Sequence, residues 1–95
     1  MARCYVCQGR YVNRSGNAGM CPACYKRRRA IAATTPYLDR WVVRSCDPII
    51  NGYIYNRGMV IDFILYRVMI GVVLEAGGRR YRVGEKGLEA ECQSD

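Results

Sequence analysis

The sequence predicts an α+β protein, in which a small finger held by cysteines precedes a small antiparallel β-sheet or barrel. Three observations indicate this fold class. Two Cys-x-x-Cys pairs lie near the N-terminus, a run of good helix formers begins at the second pair, and from residue 41 onward β-favouring segments alternate with turns. A chain of 95 residues buries little core per residue, so a structural metal would be a useful supplement.

The cysteine pairs are the strongest signal in the chain. They are Cys4-x-x-Cys7 and, after thirteen residues, Cys21-x-x-Cys24. This spacing lets both sulfurs of a pair turn toward one point, and four such sulfurs form a tetrahedral Zn²⁺ site with bonds of about 2.3 Å. Because the chain has no histidine, a site made wholly of protein ligands must be all-thiolate. We expect one structural zinc ion here; disulfides, buried free thiols and a redox pair are the alternatives.

The finger is expected to consist of a knuckle, a hairpin and a helix. Residues 4–9 predict the knuckle, where Gly9 can adopt a backbone conformation that directs amides at sulfur. Residues 10–20 contain turn residues and predict a short hairpin. Residues 21–33 predict a helix, with Pro22 in its first turn and an end at Thr34-Thr35-Pro36.

The faces of this helix have different expected roles. One face holds the metal and packs inward, and its members are Cys21, Cys24, Ile31 and Ala32. Arg28 falls over the cysteine face, where we expect it to donate to a thiolate. Lys26 points the opposite way, and Arg27 and Arg29 lie on the flanks.

The remainder of the chain predicts five or six short antiparallel strands. The strand candidates are residues 41–43, 49–55, 59–66, 68–75, 79–83 and 88–92, with hairpin turns at 56–58, 76–78 and 84–87. Residues 59–74 are long enough for a buried helix, but their Val, Ile, Tyr and Phe content and a partial alternation favour strand. We therefore expect a finger with a basic helix at 1–35 and a β-domain at 36–95, packed as one unit.

The charge is unevenly placed, which points to a polyanionic partner for the finger. The formal net charge is +7; residues 1–45 carry nine Lys and Arg against one acid, whereas residues 46–95 carry six against seven. Nucleic acid is the first candidate partner, and an acidic protein surface is the second.

Several classes of function are disfavoured. Without histidine the chain lacks the usual general base, its aspartates show no ligand spacing, and it has no phosphate-binding glycine loop, so we expect no enzyme. Charged residues interrupt the one long apolar run, which argues against a membrane span. Arg3 and Cys4 stand where a signal peptide would be apolar, so we expect an intracellular protein, in cytoplasm or nucleus.

The segment MCPACYKRRR at residues 20–29 resembles the second half of GATA-type zinc fingers. A knuckle, a hairpin and a helix whose first turn supplies the second cysteine pair is the treble-clef arrangement. The resemblance covers residues 4–33, although the loop between the pairs is shorter here. It implies that Cys4, Cys7, Cys21 and Cys24 are the ligands. Residues 34–95 resemble no family that we can name, and a small β-domain behind a finger is typical of phage and archaeal virus proteins.

Together these features predict a non-enzymatic protein that binds nucleic acid, DNA rather than RNA, in transcription or regulation. The expected contact residues are Arg10, Arg14, Lys26, Arg27 and Arg29. The alternative is a protein-interaction module, such as a viral factor that docks on host machinery like RNA polymerase, and a homodimer could form through the β-domain. A solvated basic face that merely offsets thiolate charge is the simplest alternative. The remaining thiols, Cys46 and Cys92, are either buried or bridged.

Overall fold

The computed structural model describes residues 2–12 and 19–91. The helices are α1 (Pro22–Thr34) and α2 (Arg57–Leu65). The strands are β1 (Ala2–Arg3), β2 (Arg10–Tyr11), β3 (Trp41–Arg44), β4 (Ile54–Tyr55), β5 (Val73–Ala76), β6 (Arg79–Val83) and β7 (Leu88–Ala90). The α+β class with antiparallel sheets is confirmed, as is the helix predicted at residues 21–33.

The knuckle is enclosed by a two-stranded ribbon. Strands β1 and β2 pair antiparallel, with Ala2 opposite Tyr11 and Arg3 opposite Arg10. The connection is tight, since the Cys4 amide donates to the Gly9 carbonyl at 2.7 Å and the Gln8 amide donates to the Cys4 carbonyl at 2.9 Å. The knuckle is therefore itself the loop of a hairpin. The turn residues of the hairpin expected within residues 10–20 lie outside the described ranges.

The second sheet has five strands in the order β4-β3-β5-β6-β7, all antiparallel. The turn predicted at residues 76–78 is confirmed, because Gly77 and Gly78 have φ of 59° and 78° and join β5 to β6. Two central residues with positive φ are typical of the two-residue turn that matches strand twist. In the described part of the chain β4 and β7 are the sheet edges, so the sheet is open and not a barrel.

The prediction of strand for residues 59–66 was wrong, because residues 59–65 belong to α2 and Tyr66 caps its end. Asn56, expected in a hairpin turn, is instead the N-cap: its side chain accepts a hydrogen bond from the Met59 amide at 2.8 Å. The buried positions follow helical spacing and are Val60, Ile61, Ile64 and Leu65. Burial of one helical face in the hydrophobic core thus outweighs the β-propensity of these residues.

The neighbouring strand predictions were too long. Of residues 49–55 only Ile54 and Tyr55 pair with β3. The residues before them are used in a turn at 48–52, in which the Asn51 amide donates a hydrogen bond to the Asp47 carbonyl. Of residues 68–75 only the last three belong to β5. The intervening loop contains Arg67 and Met69 at φ of 56° and 59°, which interrupts the extended backbone.

One hydrophobic cluster joins the finger to the sheet. Its fully buried members include Trp41, Val43 and Leu74 of the sheet and Val60 and Ile64 of α2. The finger contributes buried residues to the same cluster, namely Cys4, Tyr11, Met20 and Ile31. The two predicted parts therefore share a core. Neither described helix has the length and apolar composition that crossing a membrane requires.

Each helix contributes one arginine that donates hydrogen bonds to carbonyls at the C-terminal end of the other helix. Arg27 of α1 donates to the carbonyls of Leu65 at 2.7 Å and Ile64 at 3.2 Å. Arg57 of α2 donates to the carbonyl of Ala32, the residue two before the end of α1. Carbonyls in the last turn of a helix lack helical partners, and a guanidinium supplies several donors in a fixed fork. These bonds fix α1 antiparallel to α2.

We expect Arg57→Lys to lower the free energy of unfolding by about 1–3 kcal/mol, since one ammonium cannot replace the guanidinium on the carbonyls of Ala32, Thr35 and Pro36. The measurement is the urea midpoint of the metal-loaded protein. Arg29→Lys is the control, because Arg29 is exposed and should change stability by less than about 0.5 kcal/mol. Equal midpoints for the two variants would contradict this role of Arg57.

Candidate metal centre

The four cysteines of the two pairs converge. Their Sγ atoms all lie within 4.8 Å of one another, and those of Cys7 and Cys21 are 3.8 Å apart. Cys4 follows β1, Cys7 lies in the knuckle, and Cys21 and Cys24 lie at the start of α1. The sequence therefore identified a set of thiols that the fold brings to metal-binding distance.

Backbone conformation in the knuckle explains the position of its sulfurs. Gln8 has φ of 64°, and the turn it makes lets the Gly9 amide donate to Cys7 Sγ at 3.4 Å. A Cβ at position 9 would lie 3.3 Å from the same sulfur. A side chain at position 9 would therefore crowd this sulfur. The amide of Gly9 points at sulfur as expected, but the left-handed backbone conformation is that of Gln8 and not of Gly9.

The start of α1 leaves the second pair free to bind. Cys21 is the N-cap residue, yet its side chain makes no capping hydrogen bond, and Pro22 occupies the first turn. The Tyr25 amide donates to the Cys21 carbonyl at 2.9 Å, which begins the helix. A helix N-terminus carries partial positive charge and stabilises nearby thiolates.

The thiols differ in their environments. Burial raises the pKa of Cys4, but hydrogen bonds from the backbone amides of Cys21, Cys7 and Val6 outweigh it and bring this pKa to about 6. For Cys24, burial and then hydrogen bonding with the other thiols raise the pKa to about 12. In the metal-free cluster Cys4 therefore loses its proton more readily than Cys24.

Tyrosine packing links the centre to α2. The ring of Tyr5 lies 5.9 Å from that of Tyr66, the residue that ends α2, and burial raises the pKa of Tyr66. The Tyr5 amide donates to the Gly19 carbonyl, and a Cβ on Gly19 would lie 3.1 Å from the Tyr5 ring. The sequence does not predict this contact, because residues 5 and 66 carry no local signal for each other.

The predicted contact residues fall into three groups. Arg10, Lys26 and Arg29 are exposed. Arg27 is half-buried, since it bonds the end of α2 and the Glu85 carbonyl. Arg14 lies outside the described residues.

Contrary to the expectation, Arg28 does not lie along the thiolates. Its Nε donates instead to Asp62 of α2 at 3.4 Å. The α1–α2 packing brings this carboxylate within reach, and a carboxylate accepts from guanidinium more strongly than a thiolate does. Arg28 therefore joins the arginines that hold the helices together.

The described residues also form two surface depressions, about 250 and 260 Å³ in volume, beside the β5–β6 hairpin. Glu75 lines the second, where Arg44 bonds it at 3.3 Å and Arg80 at 3.5 Å. The hydrogen bond from Arg44, followed by its charge, lowers the pKa of Glu75. This carboxylate is thus an ionised ion-pair partner and not a candidate general acid.

Comparison with protein-family models, curated proteins and solved structures yields no match to this chain. The chemistry of the cysteine cluster therefore has to be inferred from its own geometry.

We expect about one metal ion per chain in the native protein, and close to none after Cys24→Ser, since a closed four-thiolate site loses a ligand. Elemental analysis of the purified proteins measures this. The exposed Cys46 lies outside the cluster, so Cys46→Ser should keep the metal. Equal metal content in the Cys24 and Cys46 variants would contradict the site.

We also expect metal binding at pH 7 to release protons. Cys4, with a pKa of about 6, is mostly ionised there, whereas Cys24, with a pKa of about 12, must lose its proton to bind. Calorimetric titration in buffers of different ionisation enthalpy counts the protons. Binding heats that do not depend on the buffer would rule out proton release.

Proposed function

We propose that this chain is a non-enzymatic zinc protein whose finger binds nucleic acid, DNA rather than RNA, in transcription or its regulation. The observation that carries the proposal is a set of exposed cations on the finger, Arg10, Lys26 and Arg29, with no Asp or Glu between residues 1 and 38. The preference for DNA follows the resemblance of residues 20–29 to GATA-type fingers.

Zinc fits the sulfur geometry. A regular tetrahedron with Zn–S bonds of about 2.3 Å has sulfurs about 3.8 Å apart, and the Cys7 and Cys21 sulfurs are separated by 3.8 Å. Four thiolates without histidine or carboxylate also form a donor set that zinc prefers. A closed set leaves no position for substrate, so the ion would stabilise the fold and not catalyse.

The treble-clef arrangement is part of the same proposal. The first cysteine pair lies in a knuckle between β1 and β2, and the second pair lies at the start of α1. This order of knuckle and helix supports the treble clef. The resemblance then places the exposed side of α1 against the nucleic acid.

The geometry suits contact with phosphates. Lys26 and Arg29 are three residues apart on α1 and thus lie on the same side of the helix. Arg10 lies on the ribbon that flanks the metal site. Contacts of Lys and Arg with phosphates supply most non-specific affinity and depend strongly on salt. Because Arg27 and Arg28 bond within the protein, the proposal does not use them.

A second function, docking on a protein partner, is favoured by one observation. Three apolar side chains are exposed at the edge formed by β4: Ile49 at 73%, Tyr53 at 52% and Ile54 at 55%. An edge strand with apolar neighbours can add a strand from another chain. Host machinery such as RNA polymerase, or a second copy of this chain, would be the partner in that case.

We expect Lys26→Gln/Arg29→Gln to reduce the log–log salt slope of duplex DNA binding by about 1.8, since each lost phosphate contact accounts for about 0.9. The measurement is fluorescence anisotropy of the metal-loaded protein with a labelled duplex over a salt series. Lys86→Gln/Arg67→Gln removes the same charge from exposed positions outside the finger and should leave the slope nearly unchanged.

If the folded, metal-loaded protein does not bind duplex or single-stranded nucleic acid at low salt, the nucleic-acid proposal fails. Docking would then be tested by solution mass. An Ile54→Lys variant should dissociate a dimer formed through β4, because it places a charge on the exposed edge. If Lys26→Gln/Arg29→Gln and its control lower the log–log salt slope equally, the effect is one of net charge and not of a binding site.

A further inference from the structure

Two arginines of the ribbon face solvent side by side. In the β1–β2 pairing Ala2 lies opposite Tyr11 and Arg3 lies opposite Arg10. Tyr11 is buried and Ala2 packs against the core. Because neighbouring residues of a strand point to opposite faces, Arg3 and Arg10 share the outer face, and both are exposed.

This pair is unfavourable for the isolated protein. Residues directly opposite in an antiparallel ribbon have Cα atoms about 4.5–5.5 Å apart, and like charges there are destabilising. The chain has no acidic residue before Asp39. Within residues 2–12 and 19–91 the ion pairs involve Arg28, Arg44 and Arg80, so neither ribbon arginine has a carboxylate partner there.

The knuckle holds the pair rigidly. Arg3 precedes Cys4, whose side chain is fully buried on the inner side. Arg10 follows Gly9, whose carbonyl accepts from the Cys4 amide at 2.7 Å and whose amide donates to Cys7 Sγ. Both strands of this short ribbon are thus tied to the knuckle at the end where Arg3 and Arg10 lie, which opposes their separation to relieve the repulsion.

We propose that Arg3 and Arg10 form a clamp that binds one phosphate of a nucleic-acid backbone. Each guanidinium presents parallel N–H donors that match phosphate oxygens, and two such groups on one face are close enough in register to bind a single anion. The anion replaces the missing carboxylate and removes the like-charge penalty. For its ligand class the clamp rests on the proposed function, which already uses Arg10; the clamp adds Arg3 and assigns both arginines to one phosphate.

The test compares Arg3→Gln/Arg10→Gln with the control Lys86→Gln/Arg67→Gln, both metal-loaded. In chloride buffer the ribbon variant should unfold at the same or a higher temperature than the unchanged protein, because the repulsion is gone. Inorganic phosphate at constant ionic strength should raise the midpoint of the unchanged protein and of the control but not of the ribbon variant. The ribbon variant should bind duplex DNA about tenfold more weakly than the unchanged protein, and its log–log salt slope should be lower by about 0.9.

The outcomes separate this clamp from the helix contact. If the ribbon variant binds DNA like the control while Lys26→Gln/Arg29→Gln does not, the clamp and the Arg10 contact are overturned, and the proposed function stands on Lys26 and Arg29. If only the ribbon variant weakens DNA binding, the clamp stands and the helix contact falls. If the unchanged protein binds no DNA, both are overturned.

Two results would assign the arginines another role. A phosphate-dependent midpoint without any change in DNA affinity would indicate a small free phosphate as the ligand and overturn the nucleic-acid source. A ribbon variant that loses metal or stability in chloride buffer would show that the guanidinium groups offset thiolate charge, which also overturns the clamp.

Discussion

The packing of the finger on the rest of this protein depends on the hydrogen bonds that one arginine of each helix donates to the other helix. Arg27 bonds the end of α2, and Arg57 bonds the end of α1. A finger and a sheet this small could otherwise pack in several ways, because hydrophobic burial has no direction. Hydrogen bonds to specific carbonyls have direction, so they fix α1 on α2. This orientation places the metal centre against Tyr66 and turns Lys26 toward solvent.

The arginines illustrate why net charge is a poor guide to a binding surface. Five of them bond within the described protein and are Arg27, Arg28, Arg44, Arg57 and Arg80. A guanidinium engaged on buried carbonyls contributes to the long-range field but cannot also grip a phosphate without breaking those bonds. The cations that remain exposed on the finger lie close to the cysteines in sequence. Arg3 and Arg10 flank the knuckle, and Lys26 follows Cys24 by two residues.

This proximity couples the metal centre to the proposed binding surface. The ribbon is only two residue pairs long and would not persist alone. Convergence of Cys4 and Cys7 on the same point as the helix cysteines holds its two strands together at the knuckle end. Metal binding is then folding free energy for the segment that presents the cations. The metal site and the nucleic-acid contact would in that case belong to one small unit, which shares a hydrophobic core with α2 and the sheet.

What the sequence determined by itself is the chemistry that depends on local spacing. The cysteine pairs, the helix after Pro22 and the Gly77-Gly78 hairpin follow from residues a few positions apart, and the structure contains all three. Tertiary structure alone decided that residues 57–65 form a helix, because their apolar side chains suit either element until a partner surface selects one face. It also decided which arginines are internal and that Arg3 lies opposite Arg10. Those contacts join residues distant along the chain or depend on strand register, and local propensity contains no information on either.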